Sequence, residues 1–189
     1  MKARTHDMAA AVGLATVIVV IAPLPPLSVA TVLVSLLANQ LGGIAPDIDQ
    51  PTAPFWRNLP IGGLFGRFVG RMLGGHRFLT HSLIGVALMG FLVHLLLEFI
   101  HPLFPKVQIE YVWWAFIIGM ISHLIMDSFT KEGVPWLLPI PIKFGFPPIR
   151  KFRITTGKWV ENFLFFPILI VILVAICTMY YPVFVDVLH

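Results

Sequence analysis

Five predominantly apolar stretches leave this chain few folds to choose from: Met8 to Ala22, Leu27 to Ile44, Ser82 to Ile100, Tyr111 to Met126 and Glu161 to Tyr181. Runs approaching the ~20 residues a helix needs to cross a hydrocarbon layer read as membrane spans. In lipid a backbone must satisfy its own hydrogen bonds, which a helix does within a single segment. The sequence therefore predicts an all-α integral membrane bundle of about five spans, forming one domain over residues 1–189. Composition agrees: 58% of residues are hydrophobic and 12% charged, against about 25% charged in an ordinary soluble domain. The lone Cys177 can form no internal disulfide.

Proline-rich breaks at residues 23–26 and 101–105 give two short connections, whereas Ala45 to His81 and Asp127 to Val160 are long. Pro135, Pro139, Pro141, Pro147 and Pro148 make the second an irregular loop. In the first, Arg57, Arg67 and Arg71 alternate with Phe55, Trp56, Leu64, Phe65 and Phe68, a pattern suited to an interfacial helix lying on lipid headgroups or to a basic juxtamembrane loop. With five spans, all 13 Lys and Arg residues except Lys106 fall on one side. The positive-inside rule places that side, with the amino terminus and both long loops, in the cytoplasm of an inner-membrane protein, and the carboxyl terminus outside. The net charge of +4 thus belongs with membrane orientation and anionic lipid, not nucleic acid. Lys2 and Arg4 are followed by His6 and Asp7 without a small-residue cleavage site, so the amino terminus is expected to be retained.

On this topology the ionisable residues sort by side. His6 precedes the first span, Asp47 and Asp49 follow the second, His76 and His81 precede the third, Asp127 ends the fourth and Glu161 begins the fifth. His123 lies one turn before Asp127, and i, i+4 spacing puts both on one helix face. Ionisable groups near a bilayer face a bundle interior, a partner or a water-filled cavity. Carboxylates crowded in a low dielectric repel one another unless a cation neutralises them. Mixed imidazole and carboxylate donors suit zinc or manganese, then ferrous iron, with magnesium less favoured.

Asp47-Ile48-Asp49 would aim both carboxylates one way if its backbone were extended. In the segment from His76 to Ser82, Arg77 has the planar fork that grips phosphate or carboxylate, and Thr80 could N-cap the third span. His123 with Asp127 could instead form a structural hydrogen bond that locks two helices together, and Glu161 could simply oppose a helix dipole. His94, Glu98 and His101 share a helical stripe at the opposite membrane face, read as interfacial.

The residues Pro46-Asp47-Ile48-Asp49, Gly75-His76-Arg77, Thr80-His81-Ser82, Ser122-His123, Asp127, Thr130, Gly133 and Pro139 resemble the YdjM-like family of membrane-bound, predicted metal-dependent hydrolases, one member of which is LexA-regulated. The likeness extends to His6 and to Gly157 followed by Glu161, and so to nearly the whole chain. It implies a site of His6, Asp47, Asp49, His81, His123, Asp127 and Glu161 around one or more divalent ions. A histidine that sometimes follows the Asp-x-Asp pair is Gln50 here.

A cation so held would acidify water and polarise a phosphoryl or carbonyl oxygen. Arg77 would steady developing negative charge, with Asp49 and His76 as further catalytic candidates. The function expected is therefore a metal-dependent hydrolase, foremost a phosphoesterase acting on a lipid or other amphiphile at the cytoplasmic leaflet. The alternative is a metal-binding transporter or lipid-handling protein without hydrolytic activity. Transporters usually place their sites near the midplane between repeated halves, and no repeat is visible here. Metal-free phosphatases of the phosphatidate type are disfavoured because Ile117 stands where they carry an arginine, six residues before the histidine.

Overall fold

The computed structural model describes residues 1–53, 56, 58–75, 77–140 and 142–188. The helices are α1 (Ala3–Ile21), α2 (Val29–Ile44), α3 (Gly62–Met72), α4 (Leu83–Ile100), α5 (Ile109–Ser128), α6 (Phe166–Met179) and the short α7 (Tyr181–Asp186). A 3₁₀ turn, Ala45–Asp49, continues α2, and a π turn, Glu161–Phe165, leads into α6. Five segments are long and apolar enough to cross a membrane: Ala3–Ile21, Val29–Asp49, Leu83–Leu103, Ile109–Ser128 and Glu161–Met179. The all-α bundle of five spans is thus the observed architecture.

Two boundaries shift in a way that matters. The first helix starts at Ala3, not Met8, so His6 is inside it and not ahead of it. At the other end α5 runs to Ser128, which keeps Asp127 in its last turn.

Packing centres on α2 and α5, the pair in most extensive contact. Lipid tails are as apolar as leucine, so helices in a membrane associate through small residues and interhelical hydrogen bonds. Both devices operate here. A Cβ on Gly42 would collide with the Phe116 carbonyl oxygen, and one on Gly119 with the Asn39 carbonyl oxygen. Between them Asn39 Nδ2 donates to Ala115 O at 3.1 Å. α1 lies against both helices, α4 packs on α5, and the last span touches chiefly α1. The main core joins Ala38, Val86, Leu97, Val112, Phe116, Ile117, Met120 and Leu124 with Val134 from the long loop.

That loop, between α5 and the last span, folds back over one end of the bundle. It contains isolated bridges, Thr130 with Ile154 and Val134 with Phe144, and no strand among the described residues. Leu83 N donates to Trp136 O at 3.0 Å and Trp136 Nε1 to Ser128 Oγ at 2.9 Å, which ties the start of α4 to the end of α5. Ser82 caps α4, its hydroxyl accepting from Gly85 N at 3.0 Å. Thr80 does not, because the 3₁₀ turn Leu79–His81 defers the helix start and sends its hydroxyl elsewhere.

Candidate metal centre

The cluster forms where the start of α1, the 3₁₀ turn after α2, the turn before α4 and the end of α5 meet. His6, Asp49, Arg77, His81, His123 and Asp127 are all buried there, while Asp47 keeps 21% of its side chain exposed.

His123 is the pivot. Its Nδ1 lies 2.6 Å from the Gly43 carbonyl oxygen. A carbonyl can only accept, so Nδ1 carries a proton, and in the neutral imidazole Nε2 presents its lone pair. That Nε2 is 3.7 Å from Asp47 Oδ1 and 3.7 Å from Asp127 Oδ2, and it makes no hydrogen bond among the described residues. In the neutral ring that lone pair faces two carboxylates, a repulsion that a bound cation or a proton on Nε2 would relieve. The contact depends on backbone proximity, since Gly43 also meets α1, where a Cβ would come within 3.0 Å of Ala10 Cβ.

The other imidazoles converge on the same space. The His6 ring stacks on His123 with centroids 3.6 Å apart and planes 10° from parallel, and its Nε2 lies 3.4 Å from Asp127 Oδ1. His81 Nε2 is 3.8 Å from Asp47 Oδ1 and 3.6 Å from Asp127 Oδ2. Two triads close to within 4.8 Å, His6 with His123 and Asp127, and Asp47 with His81 and His123. They share His123 and so form one continuous donor set. Donors held 2.0–2.1 Å from a tetrahedral zinc ion sit roughly 3.3 Å apart, close to the 3.4–3.8 Å between these imidazole nitrogens and carboxylate oxygens. The residues fit a divalent cation.

Asp47 and Asp49 do not act side by side as an extended Asp-x-Asp would. At about 120° per residue in a 3₁₀ turn, their carboxylates diverge and take opposite sides of His81. Asp47 approaches Nε2, while Asp49 Oδ2 lies 3.5 Å from Nδ1. Asp49 Oδ2 also accepts from Thr80 Oγ1 at 2.5 Å and from Arg77 N at 3.0 Å, so it braces the turn that presents His81. Burial works to lower the His81 pKa, but the Asp127 and Asp49 carboxylates outweigh it and raise it above the ordinary imidazole value.

Arg77 adopts a left-handed φ of 59°, a conformation uncommon outside glycine that surrounding structure must impose. Its guanidinium ion-pairs with Asp127 Oδ2 at 2.6 Å, donates to Thr130 Oγ1 at 2.8 Å, and turns Nε toward Glu132 at 3.4 Å. The Met1 nitrogen lies 2.7 Å from Asp127 Oδ1. Asp127 thus gathers positive charge from several directions.

Glu161 stands outside both triads. Its Oε1 accepts from Lys2 N at 2.6 Å and Thr5 Oγ1 at 2.9 Å, and its Oε2 from Gly157 N at 2.5 Å. The geometry makes it the clasp between the last span and the start of α1, steps from His6. His76 lies outside the described residues. The Gly43 carbonyl, which fixes His123, carries no sequence signature of its own; the Gly42-Gly43 pair was its only trace. At the far membrane face His94 Nε2 and Glu98 Oε1 are 3.9 Å apart and both about half exposed.

A five-span helical membrane protein with a buried histidine and carboxylate cluster at one end is the class that this fold and site define. The chain belongs to the family described as YdjM inner membrane protein, whose profile matches residues 1–184. Among curated relatives, the uncharacterized protein YvsG of Bacillus subtilis (strain 168) is 30% identical over 125 residues, spanning 66% of this chain and 67% of that protein. No solved structure matches. Family and spans together make it an integral inner-membrane protein.

Proposed function

We propose that this protein is a metal-dependent hydrolase, a phosphoesterase that takes a lipid or amphiphilic substrate at the cytoplasmic leaflet. The observation that carries the reading is the buried Nε2 of His123, without a hydrogen bond among the described residues and set between two carboxylates beside the His6 and His81 rings. His6, Asp47, His81, His123 and Asp127 would hold the cation, zinc or manganese by the donor set. Bound there, a divalent cation supplies Lewis acidity toward a phosphoryl oxygen and acidifies water.

The chain's own groups have distinct tasks. Gly43 O fixes the His123 tautomer, and Asp49 with Thr80 fixes His81, the outer-shell orientation that metal ligands require. Arg77, clamped by Asp127 and Thr130, sets a permanent positive charge beside the cluster, where phosphoryl negative charge develops. Partly exposed Asp47 marks the side from which water and substrate enter. The excess of basic residues at this end supports a cytoplasmic placement and an anionic substrate.

The test is elemental analysis of the purified protein with phosphate release from a panel of lipid phosphates, on wild type, His123→Ala and Asp47→Asn. The expected result is about one or two equivalents of zinc or manganese, lost in His123→Ala, with hydrolysis reduced ~10²-fold or more. Metal content unchanged in both variants would overturn the shared site. Metal lost on mutation, with no substrate hydrolysed by wild type, would favour a binding or transport role instead.

A further inference from the structure

The helix α3 does not span, and its two faces differ sharply. Gly62, Gly66 and Gly70 are buried. A Cβ on Gly66 would press on Pro51 and the Trp56 ring at 2.9 Å, and one on Gly70 on the Asp49 carbonyl oxygen at 2.5 Å. Trp56 is itself pinned by its Nε1 donating to Ile48 O at 2.9 Å. Three glycines therefore let α3 lie directly on the turn that carries Asp47 and Asp49.

At 100° per residue the opposite face gathers Leu64, Phe68 and Arg71 at its centre, Arg67 along one flank, and Phe65 with Met72 along the other. Leu64, Phe65, Phe68 and Met72 are 54–71% exposed, and Arg67 and Arg71 are exposed with no ion-pair partner among the described residues. Leu64, Phe65, Arg67, Phe68 and Arg71 together line a surface depression of about 520 Å³. A helix of 11 residues reaches only ~16 Å and cannot bury such a face by crossing the bilayer.

We propose that this depression is a phospholipid subsite: Arg67 and Arg71, one turn apart, hold the phosphate of an anionic lipid while Leu64, Phe65 and Phe68 receive the upper part of its chains. Charge and apolarity occur in the order that a lipid offers them, and no acidic residue lies in α3 to oppose the headgroup. Arginine pairs grip phosphate in bidentate fashion, and their aliphatic stems can lie along the apolar rings. Gly70 rests on the Asp49 carbonyl from the opposite face, so the subsite lies across the helix from the histidine and carboxylate cluster. Lipid capture does not rest on the hydrolase reading.

The experiment uses full-length protein in nanodiscs of phosphatidylcholine doped with phosphatidylglycerol, and native mass spectrometry after gentle release to count retained lipids. Near a membrane surface each arginine contributes about fivefold in affinity for anionic lipid. Arg67→Gln/Arg71→Gln should therefore lower retained phosphatidylglycerol at least tenfold, Arg67→Lys/Arg71→Lys should restore part of it, and phosphatidylcholine retention should not change. An unchanged thermal melt serves as the check that the double glutamine variant is folded.

Equal phosphatidylglycerol retention in wild type and the glutamine variant would overturn the proposal. So would displacement of the lipid by millimolar inorganic phosphate, which would mark a small-anion site. Conversion of a dimer to a monomer without lipid loss would overturn it too, marking an interface between copies. The same count on His123→Ala separates the two readings. Arginine-dependent retention there, with no phosphate released by wild type from any lipid, leaves the subsite standing and sinks the hydrolase.

Discussion

α5 and the last span, Glu161–Met179, cross the same bilayer by opposite means. Eleven of the 20 residues of α5 are buried, among them Gly119, Ser122, His123 and Asp127. Along the last span, burial is confined to Glu161 and Leu169. One helix is held by close backbone approach and polar contacts, and the other is apolar nearly all round and anchored at its end by a single carboxylate. A membrane lends no hydrophobic drive to helix association, so buried polarity gathers where small residues let backbones touch. In this chain the histidine and carboxylate cluster and the tight α2/α5 seam form a single unit.

The comparison can be broken most forcefully at Gly119. Alanine is the best helix former in isolation, yet a Cβ here strikes the Asn39 carbonyl and approaches Gly43 N at 2.8 Å. Overpacking of this kind costs about 1–3 kcal/mol. It must also push the Gly43 carbonyl away from His123, so Gly119→Ala should lose bound metal in elemental analysis as well as stability in a thermal melt. Normal metal content would mean that the seam and the cluster are separable.

Glu161→Gln is the next largest effect and is expected to differ in kind. The amide keeps the shape and one accepting oxygen, which can stay on Lys2 N and Thr5 Oγ1, but its NH₂ then meets the Gly157 N–H donor to donor. A loss of about 2 kcal/mol follows, seen as easier proteolytic release of the last span, with metal content retained. Loss of the metal at unchanged stability would return Glu161 to the ligand set that family resemblance suggests.

These two variants mark the limit of what the sequence made legible. The five spans could be read because length and apolarity are properties of a segment. The gathering of His6, Asp47, His81, His123 and Asp127 could be read because alternate crossings assign each residue a side. Direction within the site could not. Whether Asp47 and Asp49 act together depends on the turn after α2 being 3₁₀ and not extended, and whether Glu161 faces a cation or the Lys2 and Gly157 amides depends on how the last span meets α1. The α1 start is hidden in the sequence for a related reason. Arg4, Thr5, His6 and Asp7 look like a polar leader, yet the bond from Thr5 to Glu161 gives that leader a partner and keeps it helical.

The smallest effect expected is at Val171, 66% exposed on α6. Val171→Ala removes two methyl groups, the sort of change that is felt at once in a packed core. On a face that meets only lipid tails, the lost contacts are exchanged for equivalent contacts with the alkane solvent, so no cavity remains. The stability change should stay within about 0.5 kcal/mol, a shift of roughly 1–2 °C in a melt of a chain this size. A destabilisation approaching that of Gly119→Ala would mean that the apolar face of the last span is covered by protein. The contrast between the two spans would then dissolve, with α6 read as an interface helix between copies of the chain.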